Sequence, residues 1–306
     1  MRNNNPYNSQ GGIIYNKDHN SQLIIIECIF YKCSCNNHGG AIYYQSSQSN
    51  SGIIINKTCA NECIANNNYG QFSYLYTTNT FHNLNYLSIC KCGNINNGYS
   101  SIYCREGKQN ILSLNCSLNN CYCYSSIYIY NPNEFLGKYW TIVNNLVTQN
   151  TCIYFYSTGS NKRLLLNCNI INNNSPTNTG VFYLNSCELY IQYSIFLNNQ
   201  NNLFYLESNS KLFLENNLIN HNSGNLYSGS SLITNNNNSI SNQNYNTLIL
   251  IHFPTYHCHV DYLNIPKNSL KFNNFQNFKN FNLIFIILFF LLNINININI
   301  NKIKFN

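Results

Sequence analysis

Short apolar runs alternate with polar clusters along most of the chain, and one run ending in tyrosine keeps returning. The copies are Ile13-Ile14-Tyr15, Ala41-Ile42-Tyr43, Phe72-Ser73-Tyr74, Ser101-Ile102-Tyr103, Ser126-Ile127-Tyr128, Cys152-Ile153-Tyr154, Val181-Phe182-Tyr183 and Leu203-Phe204-Tyr205. Leu226-Tyr227 is a weaker ninth. Neighbouring tyrosines lie 22 to 31 residues apart, about 26.5 on average over the eight intervals from Tyr15 to Tyr227. A second motif, an apolar anchor followed three residues later by Asn or Cys, falls between these runs. Its copies are Phe30…Cys33, Ala60…Cys63, Ile89…Cys92, Leu118…Cys121, Val147…Asn150, Ile170…Asn173, Phe196…Asn199 and Ile219…Asn222. Two residues before each anchor stands a mostly small residue: Cys28, Thr58, Leu87, Cys116, Asn145, Cys168, Ser194 and Asn217. Strand side chains alternate, so anchor and preceding residue share one face.

Each unit therefore holds at least two short strands, separated by turn clusters such as Asn66-Asn67-Asn68, Asn96-Asn97-Gly98 and Asn172-Asn173-Asn174. Asn tolerates left-handed backbone and bonds nearby amides, which suits it to turns. No unit carries a helical period, so alternating strand and helix is excluded. A single unit cannot bury its own apolar face, but stacked copies bury a continuous core. Parallel crossovers are right-handed. The pattern predicts an all-β fold, a right-handed parallel β-helix of about nine coils over residues 11–250. At ~4.8 Å per coil the rod is about 43 Å long. Each repeated position then becomes a line of side chains along the axis. Asn150, Asn173, Asn199 and Asn222 are expected to form an amide ladder, with Cys33, Cys63, Cys92 and Cys121 filling the same slot earlier. A leucine-rich repeat is the competing solenoid, since Leu166…Cys168…Ile170…Asn173 fits its core. The long units, the scarcity of Leu and the tyrosine strand argue against it.

Composition narrows the function classes. Charged residues make up 8% of the 306, with Lys+Arg 16 against Asp+Glu 9 and a net charge of +7. The only arginines are Arg2, Arg105 and Arg163, and no basic cluster exists, so nucleic acid is not an expected partner. Asn accounts for 67 residues. Asn, Ile, Tyr, Phe and Lys share AT-rich codons, so positions are more informative here than amounts. The nine acids are spread nearly one per coil. Glu188, Glu207 and Glu215 alone could gather on neighbouring coils, and they occupy different positions within their units. Polysaccharide-cleaving β-helices need clustered acids, so catalysis is not expected and no catalytic residue is assigned.

His252, His257, Cys258, His259 and Asp261 lie close together, but a zinc site needs a second spaced pair that is missing. They are read as a post-solenoid loop, and no metal or cofactor is expected. Fifteen cysteines, an odd number, recur as Cys33-Ser34-Cys35, Cys90-Lys91-Cys92 and Cys121-Tyr122-Cys123. Buried reduced columns explain this spacing better than redox chemistry or a disulfide framework. Asn56, Asn115, Asn173 and Asn237 open Asn-x-Ser/Thr sequons.

Residues 1–10 are polar, contain Pro6 and lack an apolar core, so no signal peptide is expected and the chain reads as a fragment or a mis-set start. Residues 251–280 read as an irregular linker. Leu283 to Leu292 is uninterrupted apolar sequence, and residues 281–300 form a candidate transmembrane segment with a basic tail at 301–306. Asn293, Asn295, Asn297 and Asn299 weaken that span, and Lys on both sides leaves its orientation open.

Gly39-Gly40-Ala41-Ile42 resembles the GGA[ILV] half of the repeat of polymorphic outer membrane proteins, and Phe196-Leu197-Asn198-Asn199 resembles the FxxN half. Gly11-Gly12-Ile13-Ile14 is a looser copy, while Gly70-Gln71-Phe72 and Gly180-Val181-Phe182 keep one glycine. That family comprises surface proteins of chlamydiae, with related proteins in parasitic protists. The resemblance implies a right-handed β-helix surface protein, often an adhesin. The expected function is a membrane-anchored, non-catalytic adhesion or interaction rod, placed at the cell surface with the β-helix outside. Its expected partners are the membrane and glycans or host or cell-surface proteins. A polysaccharide-acting enzyme and a degenerate gene fragment are the alternatives.

Overall fold

The computed structural model describes residues 10–241 apart from 18, 19, 123, 160, 177, 222, 223, 230 and 231. Among the described residues there is no helix, and every strand ladder is parallel. The expected solenoid is present. One sheet has nine strands in sequence order, from Ile14–Lys17 through Ile42–Ser46, Ser73–Thr77, Ser100–Arg105, Ser125–Tyr130, Ile153–Tyr156, Phe182–Asn185 and Phe204–Glu207 to Tyr227–Gly229. Eight turns of chain separate its first strand from its last. The second sheet has fifteen strands and wraps around a corner. Gly52–Asn61, Phe81–Cys90 and Lys108–Ser117 run continuously through that corner, whereas later coils break there, as in Glu134–Lys138 and Thr141–Val143.

The corner has one physical cause. Glu27, Lys57, Tyr86, Ser113, Tyr139, Asn167, Tyr193, Asn216 and Asn237 all have φ between 47 and 59°. A single left-handed residue turns the chain while its amide still serves the next coil: Glu27 N–H donates to Asn56 O and Tyr139 N–H to Leu166 O, both at 3.0 Å. A second corner repeats the device at Lys32, Glu62, Lys91, Leu118, Asn144, Asn172 and Asn198, with φ between 51 and 56°. Asn is the commonest residue at these positions because it tolerates the conformation better than any residue except Gly.

Inward columns form one core. Ile42, Ile102, Ile127, Ile153, Phe182 and Phe204 face it from the first sheet, and Ile55, Leu84, Ile111, Leu165, Ile191 and Leu214 from the second. Each is fully buried, worth roughly 1.5–3 kcal/mol per side chain against exposure. The lone tryptophan, Trp140, is buried at the first corner and donates its Nε1–H to Ile111 O at 2.9 Å. Gly137 makes room for it, since a Cβ there would lie 2.9 Å from the indole.

The amide ladder exists, with two members different from those expected. Following the strand register, the column runs Cys33, Cys63, Cys92, Asn119, Asn145, Asn173, Asn199. Asn119 Nδ2 donates to Asn145 Oδ1 at 3.0 Å, Asn145 Nδ2 to Asn173 Oδ1 at 3.0 Å, and Asn173 Nδ2 to Asn199 Oδ1 at 3.1 Å. Each Oδ1 also accepts the backbone N–H one coil earlier, for example Asn119 N–H to Asn145 Oδ1 at 3.1 Å. Cys121 and Asn150 are not in this column. Cys121 pairs with Val147 on the next short strand. Cys116…Asn119 and Ile142…Asn145 fit the apolar-x-x-Asn spacing as well as the expected pairs do, and only the hydrogen-bonded slot separates them. The column at the corner shifts with it, carrying Leu114 and Trp140 where Cys116 and Asn145 were expected. Asn222 lies outside the described residues.

The polar residues 1–9, the loop with His252, His257, Cys258, His259 and Asp261, the linker, the 281–300 segment and the 301–306 tail all lie outside the described residues. Among the described residues no helix is long and apolar enough to cross a membrane.

Candidate functional site: the tyrosine-covered face

The outward side of the nine-stranded sheet is dominated by phenol rings. Register places Tyr15, Tyr43, Tyr74, Tyr103, Tyr128, Tyr154, Tyr183 and Tyr205 opposite one another in sequence. The ninth copy departs from expectation. Tyr227 pairs with Phe204 in the inward column, and Ser228 takes the place opposite Tyr205. The weaker copy had one apolar residue fewer before its tyrosine, so the frame slips by one and the side chain changes face.

Neighbouring ring centroids lie 4.5 to 5.2 Å apart along the whole column. That spacing follows from the coil rise of ~4.8 Å, and it falls in the range favoured by aromatic pairs. Tyr15–Tyr43, Tyr43–Tyr74, Tyr74–Tyr103 and Tyr154–Tyr183 are near-parallel, with interplanar angles of 15, 4, 8 and 13°. Tyr103–Tyr128 and Tyr128–Tyr154 meet edge to face at 85 and 73°. Each pair contributes about 0.5–1.5 kcal/mol beyond its area.

A second outward column, two residues on, carries Tyr76, Arg105, Tyr130 and Tyr156. The Arg105 guanidinium is sandwiched, 4.6 Å from the Tyr76 ring centre and 5.1 Å from that of Tyr130. Glu106 also accepts from Arg105 Nε at 3.1 Å. Tyr69 and Tyr124, from the preceding turns, pack over Tyr103 and Tyr128. His38 stacks on Tyr69 with ring centres 6.0 Å apart. The result is a two-layer aromatic surface in which Tyr43, Tyr74, Tyr103, Tyr128 and Tyr154 are buried although they point outward. Burial raises the pKa of Tyr74, Tyr103 and Tyr128 above the usual phenol range, and pushes that of Tyr154 up to about 12. Tyr183 donates to the Glu207 carboxylate, which also accepts from Asn185 Nδ2 at 3.0 Å.

The acids considered from sequence do not meet. Glu188 pairs with Lys211 at 3.6 Å, Glu215 accepts from Gln192 at 2.6 Å, and Glu207 serves Tyr183. Other carboxylates are taken by cations on adjacent coils, Glu27 by Lys57 at 3.1 Å and Glu62 by Lys32 at 3.5 Å. Among the described residues no group of three or more His, Cys, Asp or Glu side chains is arranged to hold a metal. Two sequons are inaccessible: Asn173 is a buried ladder member, and buried Asn115 donates to Ser88 Oγ at 3.2 Å. Asn237 is exposed. Burial raises the pKa of Cys104 and Cys116, while at Cys63 a hydrogen bond with Cys33 lowers it and is outweighed by the bond with Cys92 and by burial. Those three are free buried thiols, whereas Cys59, off the ladder column, is disulfide-bonded.

One charged residue in the interior was not singled out from the sequence. Arg163 occupies an inward column with His82, Gln109 and Phe135 and is 1% exposed. Its guanidinium donates to Gly159 O at 3.1 Å and to the oxygens of Asn161 and Ser157, all neutral. Burial lowers its pKa. Its place in an apolar strand, Arg163-Leu164-Leu165-Leu166, was the available clue.

Comparison with family models, with curated proteins and with solved structures returns no match for this chain.

Proposed function

We propose that this chain is a membrane-anchored β-solenoid surface protein that works as a non-catalytic interaction rod. The observation carrying this reading is the continuous two-layer tyrosine face with Arg105 clamped in it. Tyr and Arg are, with Trp, the residues enriched among binding hot spots, Tyr because its rigid ring offers large area at small entropic cost. The dispersal of the acids into separate pairs supports a binding role over hydrolysis of a polysaccharide. The GGA[ILV]- and FxxN-like segments support the surface-protein class. Phe196 points into the core and Asn199 into the ladder, so the motif matches a physical requirement of the coils that carry the amide ladder.

Surface biotinylation of intact cells expressing the full chain, with binding of the purified chain to immobilised glycans and cell-surface proteins, tests the proposal. Labelling without lysis is expected, along with binding that weakens about tenfold when Arg105 and Tyr130 are both changed to Ala. Labelling only after lysis, or release of sugar from a polymer, overturns it.

A further inference from the structure

The tyrosine column has a property that a binding face does not need. Its phenols are held ring to ring over seven consecutive contacts, at 4.5 to 5.2 Å, from an exposed end into a buried interior. Tyr15 is 54% exposed and stacks on buried Tyr43. Toward the other end, half-buried Tyr183 donates its hydroxyl proton to Glu207 and lies 4.8 Å from Tyr154 and 4.9 Å from Tyr205. One-electron oxidation of a phenol is easiest where a base already holds its proton, and Glu207 is such a base.

We propose that the column is a site of oxidative cross-linking, in which a peroxidase-type oxidant using hydrogen peroxide joins tyrosines of adjacent coils as dityrosine. Two neighbouring phenols each lose one electron and the hydroxyl proton, giving two phenoxyl radicals. A carbon–carbon bond forms between one ortho carbon (Cε) of each ring. The hydrogen on each of those carbons then shifts to its own oxygen and restores the phenol. In sum two C–H bonds break, one C–C bond forms, and two electrons and two protons leave. One hydrogen peroxide takes them up and becomes two waters. Tyr15 and Tyr183 are the entry points, Tyr15 through exposure and Tyr183 through its proton acceptor. The close ring series lets a radical made at either end move inward, so pairs that an enzyme cannot touch can still couple. The linkage tethers one coil to the next across 22 to 31 residues of chain.

Accessibility alone gives a different product. Tyr86, Tyr139 and Tyr193 are 42, 43 and 58% exposed at the first corner. The corner positions between them carry Ser113 and Asn167, so no tyrosine stands in register one coil away.

The test uses the full folded chain, as an equal mixture of ordinary and nitrogen-15-labelled protein, treated with horseradish peroxidase and hydrogen peroxide. Cross-linked peptides are then mapped by mass spectrometry. The expected products join Tyr15 to Tyr43 and Tyr183 to Tyr154 or Tyr205, with both halves carrying the same label. Glu207→Gln is expected to lower the yield at Tyr183 about tenfold while leaving the Tyr15 product unchanged. Tyr15→Phe is expected to do the reverse. Both changes are conservative, and each variant serves as the folded control for the other. Products dominated by Tyr86, Tyr139 or Tyr193, products of mixed label, or no dityrosine overturn the proposal.

Discussion

Asn145→Ala is the sharpest test of the internal ladder. The Asn145 side chain accepts from the Asn119 backbone N–H at 3.1 Å and from Asn119 Nδ2 at 3.0 Å. It donates to Cys116 O at 2.8 Å and to Asn173 Oδ1 at 3.0 Å. Truncation leaves the Asn119 N–H without its acceptor in a dry interior, takes one acceptor from Asn119 Nδ2 and takes one donor each from Cys116 O and Asn173 Oδ1. A buried polar group stripped of its partner costs about 1–3 kcal/mol. Asn119 Nδ2 keeps Ile89 O at 3.1 Å, and Asn173 Oδ1 keeps the Asn145 N–H at 3.1 Å, so only part of the set is orphaned. The expected loss is about 3 kcal/mol. Urea unfolding followed by circular dichroism measures it, with the slope checked for a second transition, because coil stacks lose cooperativity when a middle coil weakens. Asn150→Ala is the matched control. Asn150 was the ladder member expected from spacing, and its Oδ1 is buried without an acceptor role. Its truncation should cost under about 1 kcal/mol. A loss below about 1 kcal/mol for Asn145→Ala, or an equal loss for Asn150→Ala, refutes the register and the ladder together.

Leu118 sits 44% exposed at φ 56°, so Leu118→Gly should stabilise by about 1 kcal/mol in the same urea assay. His82 is fully buried and its pKa is lowered to about 3 by that burial. The neutral form is the folded one, so its contribution is complete above the ordinary 6.5 and is lost as pH falls toward about 3, at up to roughly 1.4 kcal/mol per pH unit. A flatter acid limb is expected for His82→Gln in a pH series of melting curves. Tyr154 titrates at about 12, above the ordinary phenol value of 10. Its stabilisation is therefore complete below 10 and lost as pH rises from 10 toward about 12, and Tyr154→Phe should shift alkaline unfolding upward.

The sequence carried the solenoid and most of the columns, with about nine coils expected against about eight turns, because both come from strict geometric repetition. Tyr15 through Tyr205 fall in one line because a parallel solenoid must bring equivalent strand positions into register. Errors arose where two frames satisfied the same chemistry. Cys121 and Asn119 are both small and both fit an inward slot, and they differ only in whether an amide receives the previous coil's N–H. Tyr227 shows the same limit, since a strand that slips one residue still reads as alternating. The left-handed corners were not legible at all where they carry Lys57, Tyr86 or Leu118, because nothing in those side chains announces a positive φ. Their signal was indirect: Asn at the equivalent positions of later coils. The second tyrosine layer was missed because Tyr69 and Tyr124 belong to turns outside the repeating frame, and their packing over Tyr103 and Tyr128 is a tertiary fact.

The interior and the exterior change independently along the axis. The ladder slot passes from thiols to amides between Cys92 and Asn119. The junction is closed cleanly, as Cys92 N–H donates to Asn119 Oδ1 at 2.8 Å and no acceptor is stranded. Before that point the slot is held by packing of small apolar groups, which weakens on cooling. After it the slot is held by directional amide bonds. The tyrosine column crosses the same coils from Tyr74 to Tyr103 to Tyr128 with ring separations of 5.0 and 5.0 Å, unchanged by the switch beneath it. Two different interiors are thus equivalent solutions to filling one slot, while the outward phenol line is kept without interruption over eight strands. A feature kept constant over a variable interior is one that the choice of thiol or amide in the ladder slot does not dictate.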